Sequence, residues 1–369
     1  MRILFCGTSV PEKIEYQIEQ ISAAGNRFQN NMISNLRALG HEVVVLSYIA
    51  MPITPEVENE LCDADDQTYV VRKTSVFSDT FNAVKACRKR AKELLNSCDV
   101  VVAYNVFYNF LFLPDLVKKS AKKSVLVLAD YSGKECYKSI IGKVYALLQQ
   151  HTMKKYDTVV GLSANIQKVL SSKQKFVLME GGIDQKFYDN FSYKLREVDK
   201  ALRFMYSGLL SKVTGVDILL EAMDRLEEKN VELWISGKGE LESEVRTSSA
   251  KDARIKYLGH MEYSEYMKCL QEADVLINPR NMLLPENQNN FPSKIMEYLA
   301  VGKPILSSKF VGWEKFQNEI YFYDANLKEA LHAMCCKIER QEVCFEEVYE
   351  CNRKRAKAYL WGEQLRKVL

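Results

Sequence analysis

A chain of 369 residues is too long for one ordinary hydrophobic core, so two domains with a ligand cleft between them are expected. Its 47% hydrophobic and 27% charged residues exclude a disordered chain, and no apolar run nears the roughly 20 residues of a spanning helix. The formal charge of +3 hides an uneven spread: residues 72–175 hold 19 Lys and Arg against 7 Asp and Glu, whereas residues 186–369 hold 28 against 29.

The opening MRILFCG reads as a short strand without the cleavage region of a signal peptide, which points to a cytoplasmic protein. Phe28, Met32, Leu36 and Leu39 then fall at helical intervals, and Gly40 stops that helix before a strand at 42–48. Further strands are expected at 99–104, 124–129, 157–162 and 175–180, with room for crossover helices between them. The basic clusters Arg88-Lys89-Arg90 with Lys92, and Lys118-Lys119 with Lys122-Lys123, fit either a solvated face or a surface against anionic lipid or an anionic acceptor. No nucleic-acid partner is expected.

Gly181-Gly182-Ile183-Asp184 breaks the pattern and sets the linker. The second half repeats the grammar, with strands expected at 202–207, 231–236, 254–258, 274–278, 304–308 and 319–323. The domains expected are thus 1–184, 185–350 and a charged terminal helix at 351–369, in an α/β chain with two Rossmann-like sheets. Ten cysteines without a C-x-x-C pair, and four histidines far apart, predict reduced thiols and no metal.

Chemistry is expected at the carboxyl ends of the second sheet's strands. After 202–207 comes Ser207-Gly208-Leu209-Leu210-Ser211-Lys212-Val213-Thr214-Gly215. Its free N–H groups and Lys212 suit a diphosphate, and a plain surface loop is the alternative. Ser236-Gly237-Lys238-Gly239-Glu240 follows the next strand, where two glycines allow close approach by a base or ribose, or simply make a turn. The third corner runs from Asn289 through Asn290, Phe291, Pro292, Ser293 and Lys294 to Glu297. Asn290 is expected to cap a helix with Pro292 in its first turn, leaving N–H groups around 292–294 for an anion. Glu297 then lies one turn deeper, where its carboxylate can accept two hydrogen bonds from a ribose diol; its apolar neighbours Ile295, Met296, Tyr298 and Leu299 argue against full exposure.

These corners in this order, with Tyr257-Leu258-Gly259-His260, the stretch Ala273 to Arg280 and FPSKIMEYLAVGKPIL from Phe291, resemble the family 4 retaining glycosyltransferases, and bacterial members that build surface polysaccharides in particular. Ala24-Gly25-Asn26-Arg27 resembles the family's glycine loop, and Gly181 to Asp184 its interdomain motif. The resemblance implies the GT-B fold, with two Rossmann-like domains facing across a cleft and a terminal helix crossing back to the first. It implies a nucleotide-sugar donor bound by the second domain, and a saccharide or lipid-linked saccharide acceptor bound by the first, with the basic first half near an anionic membrane. No cofactor and no metal are implied.

Residue by residue, the resemblance implies donor contacts from Gly25, Asn26, Gly208, Ser211, Lys212, Gly237, Lys238, Arg280, Glu286, Asn290, Phe291, Pro292, Ser293, Lys294 and Glu297. Lys212, Glu297, Asn289 and Asp130 are the expected catalytic set. Glu297 matches the second acid of the family's Glu-x7-Glu motif, but Asn289 replaces the first, with Glu286 near enough to substitute. Leu209 or Leu210 stands for the usual Arg, and Thr214 for the usual Lys, so Lys212 and Lys294 are expected to supply the missing charge. Ala129-Asp130 replaces a His-Asp pair, which leaves Asp130 as an acceptor contact. In the front-face retention proposed for the family, a donor phosphate oxygen takes the acceptor's proton, so the enzyme's task is alignment and stabilisation of the leaving diphosphate.

Three rival readings carry less weight. Asp63-Ala64-Asp65-Asp66 contains the D-x-D of metal-dependent glycosyltransferases of the other major fold, but reads as a solvated acidic loop. A nucleotide-sugar 2-epimerase would want more acid and histidine in the cleft. A non-catalytic nucleotide-sugar-binding partner of another glycosyltransferase is the alternative that Asn289 and the altered phosphate corner keep open.

Overall fold

Two parallel sheets, each with its own helices, account for the chain. The structure is a computed structural model that describes residues 1–18, 21–62, 67–74, 77–131, 133–288 and 291–368. It divides into a first unit of Met1–Glu180 with Trp361–Leu369 and a second unit of Gly181–Leu360.

The first unit runs β1 (Arg2–Gly7), α1 (Ala23–Ala38), β2 (Glu42–Ile49), α2 (Pro55–Cys62), β3 (Gln67–Val71), α3 (Phe77–Leu95), β4 (Val100–Tyr104), α4 (Leu113–Lys119), β5 (Lys123–Leu128), α5 (Ile140–Met153), β6 (Thr158–Gly161) and β7 (Lys175–Leu178). All pairings are parallel, in the order β3-β2-β1-β4-β5-β6-β7. The central strands are buried on both faces, which is why they read as unbroken apolar runs such as Val100-Val101-Val102. The edge strand β3 escapes the sequence reading because all five of its residues are half-buried and show no alternation.

The second unit runs α6 (Gln185–Asp189), β8 (Leu202–Ser207), α7 (Val216–Asp224), β9 (Val231–Ser236), α8 (Glu242–Lys251), β10 (Ile255–Gly259), α9 (Tyr263–Glu272), β11 (Val275–Asn278), α10 (Lys294–Val301), β12 (Ile305–Ser308), β13 (Ile320–Tyr323), α11 (Leu327–Glu339) and α12 (Phe345–Lys357). Its six strands lie parallel in the order β10-β9-β8-β11-β12-β13. Each sheet therefore reverses its winding beside its first strand, at β1/β4 and at β8/β11, and such switch points open a crevice at the strands' carboxyl ends.

The last helix, α13 (Trp361–Arg366), belongs to the first unit, where it packs on α1. Trp361 is buried and meets Phe28 edge-to-face at 5.0 Å, with Leu365 in the same cluster as Met32 and Leu36. Burying each such side chain contributes about 1.5–3 kcal/mol. The segment joining the first unit is shorter than 351–369, because α12 stays with the second unit: Asn352 donates to the Lys303 carbonyl and Arg353 to that of Ala300. Among the described residues no helix is long and apolar enough to cross a membrane.

Candidate active site

At the switch point of the second unit, three corners are pinned together by backbone contacts. A Cβ on Gly237, whose φ is +140°, would lie 1.8 Å from the Gly208 carbonyl oxygen. One on Gly215, at φ +77°, would lie 2.0 Å from that of Pro279. The glycines thus let the β8, β9 and β11 corners touch, and the position a side chain would take on Gly237 is filled by the neighbouring loop.

The β8 corner also differs from expectation in its N–H groups. Ser211 N donates to Thr214 Oγ1, Lys212 N to Glu240 Oε1 at 3.2 Å, and Thr214 N to Ser211 Oγ. Gly215 N and Val216 N bond to the Lys212 and Ser211 carbonyls. Thr214, standing where the family has a lysine, is spent on closing this loop, since its hydroxyl donates to the Leu209 carbonyl at 2.6 Å. In the corner from Ser207 to Gly215, expected to offer free N–H groups, those of Ser211, Lys212, Thr214 and Gly215, and that of Val216 after it, are therefore bonded within the protein. Lys212 itself is exposed, with Glu244 within electrostatic reach, and Lys238 is exposed beside it in the next corner.

The polar groups converge around α10. Glu297 is half-buried, and its Oε2 accepts from the Tyr266 hydroxyl at 2.7 Å and from Lys294 Nζ at 2.8 Å. Lys294 also approaches the Tyr266 hydroxyl at 3.0 Å and stacks over its ring at 4.9 Å. Burial pushes the Tyr206 hydroxyl's pKa up, while a hydrogen bond with Thr214 and the charges of Lys294 and Arg280 pull it back. Two cations thus bear on the end of β8, with one carboxylate a turn inside the helix. The loop beneath is fixed by Asn287, fully buried, which donates to the carbonyls of Val213 and Asn281 at 2.7 Å each.

Helix α10 begins at Lys294 with Ser293 as its N-cap, later than the cap expected at Asn290, because the first bonds are tight i+3 links from Ile295 to Pro292 and from Met296 to Ser293. Asn289 and Asn290, like Asp63-Ala64-Asp65-Asp66, lie outside the described residues. Phe291 is turned into an aromatic cluster, 5.2 Å from Phe310 and 6.1 Å from Phe316, and Pro292 is buried with it; both shape the corner from below. Ser293 is exposed, and Glu286 is exposed on the turn at 285–287.

The first unit's switch point holds a pocket of about 410 Å³. Gly25 and Asp130, remote in sequence, both line it. Asn26 borders it too, but its amide is committed inward: Oδ1 accepts from Val10 N, and Nδ2 donates to the Val10 carbonyl and to Glu15. Asp130 is placed by Asn105, which sits at φ +53° and accepts from the N–H groups of Ala129 and Asp130. Asn105 Nδ2 faces Asp130 Oδ2 at 3.4 Å. The walls are rich in tyrosine: Tyr48, Tyr104, Tyr108, Tyr131, Tyr137 and Tyr145. Burial raises the pKa of Tyr104, helped by the Asp130 charge, and that of Tyr145 is pushed up to about 12 by burial and then by Tyr137, so these hydroxyls stay protonated. Ring faces with a few fixed polar groups suit the apolar and hydroxylated sides of a sugar. Sequence reasoning missed Asn105, Tyr266 and the tyrosine wall; an asparagine directly after a strand is the one local signal that pointed there.

Among the described residues no cluster of His, Cys, Asp and Glu is arranged to hold a metal.

Two doubly wound parallel sheets of this kind, the second with cations and a half-buried carboxylate at its switch point, make the frame of a GT-B protein. Residues 201–339, within the second unit, match the family model of glycosyl transferases group 1. Over 130 residues, 34% of this chain, it is 28% identical to an amylovoran biosynthesis glycosyltransferase of Erwinia amylovora. The match spans 32% of that relative's length. Among solved structures, HepE of Anabaena in complex with UDP shares the fold at a TM-score of 0.72 and 15% identity, covering 100% of this chain and 99% of that one. A lipopolysaccharide outer core galactosyltransferase, WaaB, in its apo form, gives 0.71 at 15%, covering 100% and 98%.

Proposed function

We propose that the chain is a retaining glycosyltransferase that moves a sugar from a nucleotide-sugar to a saccharide or lipid-linked saccharide in polysaccharide biosynthesis. The observation carrying this reading is Glu297, half-buried one turn inside α10 and flanked by Lys294, with Arg280 and Lys294 both bearing on Tyr206 at the end of β8. In this reading Glu297 accepts from the donor's ribose diol, and Lys294, Arg280 and Lys212 balance the diphosphate as the bond to the sugar's anomeric carbon breaks. The acceptor hydroxyl adds on the same face and gives its proton to a donor phosphate oxygen. The first unit's pocket holds the acceptor, with Asp130 and Asn105 on its hydroxyls. Uridine diphosphate is the first nucleotide to try, since HepE is a structural relative seen with it.

Support for a membrane-side acceptor at the cytoplasmic face comes from the basic balance of residues 72–175. Metal independence is part of the same proposal and rests on the family resemblance.

The test is nucleotide-sugar hydrolysis and transfer by purified protein, with Glu297→Ala beside it. Turnover lost in the variant and unchanged by EDTA supports the reading. Nucleotide binding without turnover in the unaltered protein would instead make it a silent partner of another transferase.

A further inference from the structure

Helix α5 has two working faces. On one, Tyr145 and Gln149 both donate to the Val106 carbonyl at 2.9 Å and, with Met153, wall the first unit's pocket. On the other, Ile140, Ile141, Val144, Leu147 and Leu148 stand in solvent, the first two 81% and 83% exposed. At 3.6 residues per turn these five fall within roughly a third of the helix circumference, so they form one stripe. Eight large hydrophobic side chains are exposed among the described residues of the first unit, and five of them lie on this helix. Such a concentration marks a contact surface.

The rim of the stripe names its occupant. Lys134, Lys138, Lys143 and Lys154 are exposed around it, Lys155 pairs with Asp115, and α5 contains no Asp or Glu. A second copy laid on the stripe about a twofold axis would set these lysines against their own counterparts with no acid on the helix to answer them. An anionic bilayer meets both features: acyl chains take the aliphatic stripe, and headgroup phosphates take the lysines.

We propose that α5 is an interfacial helix that seats its Ile140–Leu148 face in anionic lipid, and that the acceptor is therefore a saccharide on a lipid carrier in the same leaflet. The second clause rests on the reading of the adjoining pocket as the acceptor site. A helix is about 10–12 Å across, so the pocket on its far face lies roughly that far above the lipid. That height is reached by the sugars of a lipid-linked saccharide and not by a headgroup flush with the membrane.

The full chain is sedimented with phosphatidylcholine vesicles, with and without phosphatidylglycerol, beside the double variant Ile141→Glu with Val144→Glu. Binding to the anionic vesicles should weaken by roughly tenfold or more in the variant, while stabilisation by UDP is the same in both. In Ile141→Trp, emission should shift to the blue on those vesicles and be quenched by brominated acyl chains. The docking is overturned if the double variant binds as the parent does, if the parent ignores the vesicles, or if the parent forms a dimer that the variant abolishes. The acceptor clause is overturned if a free saccharide is glycosylated as well as its lipid-linked form on vesicles. Absence of any nucleotide effect in both proteins would fail the transferase reading alone, leaving the vesicle result to be judged by itself.

Discussion

The Tyr266 hydroxyl donates to Oε2 of Glu297 at 2.7 Å, which ties α9 to the first turns of α10. Under the proposed function Glu297 meets the donor's ribose diol, and a carboxylate with that task gains from being held in one rotamer before the ligand arrives. A hydrogen bond to a charged group is worth about 1.5–3 kcal/mol. Tyr266→Phe keeps the ring under Lys294 but removes one of the hydrogen bonds that hold Glu297, so the KM for the nucleotide-sugar should rise about tenfold with a smaller change in kcat, measured by steady-state kinetics.

The close approach of Gly237 to Gly208 sets a second expectation. Gly237→Ala places a methyl where a carbonyl oxygen already stands and forces φ +140° on a residue with a side chain. The conformation alone costs about 1–3 kcal/mol, and relieving the clash must also spread the two corners. Thermal denaturation should fall by several degrees and nucleotide stabilisation should weaken with it. An alanine at Gly40, also at positive φ but with nothing near its Cβ, should lower the melting point less and leave nucleotide binding alone.

How much of this was legible depended on where each signal lies along the chain. The six strands of the second sheet are apolar runs between turn residues, and they fall where the sequence puts them, from Leu202–Ser207 to Ile320–Tyr323. Glu297 and Lys294 were readable because helical spacing fixes their neighbourhood. Tyr266 was not, since it reaches Glu297 from 31 residues away, across a strand and a loop. Thr214 shows a different limit: the sequence marks it only as standing for the usual lysine, and that its hydroxyl closes the loop on the Leu209 carbonyl is visible only in the structure. The α5 stripe was invisible for a related reason, because only coordinates distinguish an apolar face that is buried from one left in water.

Acid sensitivity should have a contribution from Asp252. Its hydrogen bond to Arg254 holds its carboxyl below the usual range, against the upward push of burial, and Arg254 in turn donates to the carbonyls of Met223, Leu226 and Glu228. A folded-state pKa below the unfolded one contributes stability that is full above the ordinary carboxylate pKa and is lost as pH falls through the depressed value. Asp252→Asn should therefore flatten the acid limb of the stability curve below about pH 4, followed by urea denaturation at each pH. Arg254→Ala should lose more at neutral pH, because three carbonyls also lose their donor.

Asn105 separates conformation from recognition in the first unit. Its backbone sits at φ +53°, a region that costs an ordinary L-residue about 1–2 kcal/mol and that asparagine tolerates better, while its side chain orders the turn carrying Asp130. Asn105→Gly frees the backbone but removes those bonds, and Asn105→Ala removes the bonds while adding the conformational cost. Alanine should thus lower stability more than glycine, by about 1 kcal/mol, in chemical denaturation. Under the proposed function both should raise the acceptor KM by a similar factor, because each removes the Asn105 bonds that order the turn carrying Asp130. Should the acceptor KM follow stability instead, with glycine close to the parent, Asn105 would matter to the fold and not to the placement of Asp130.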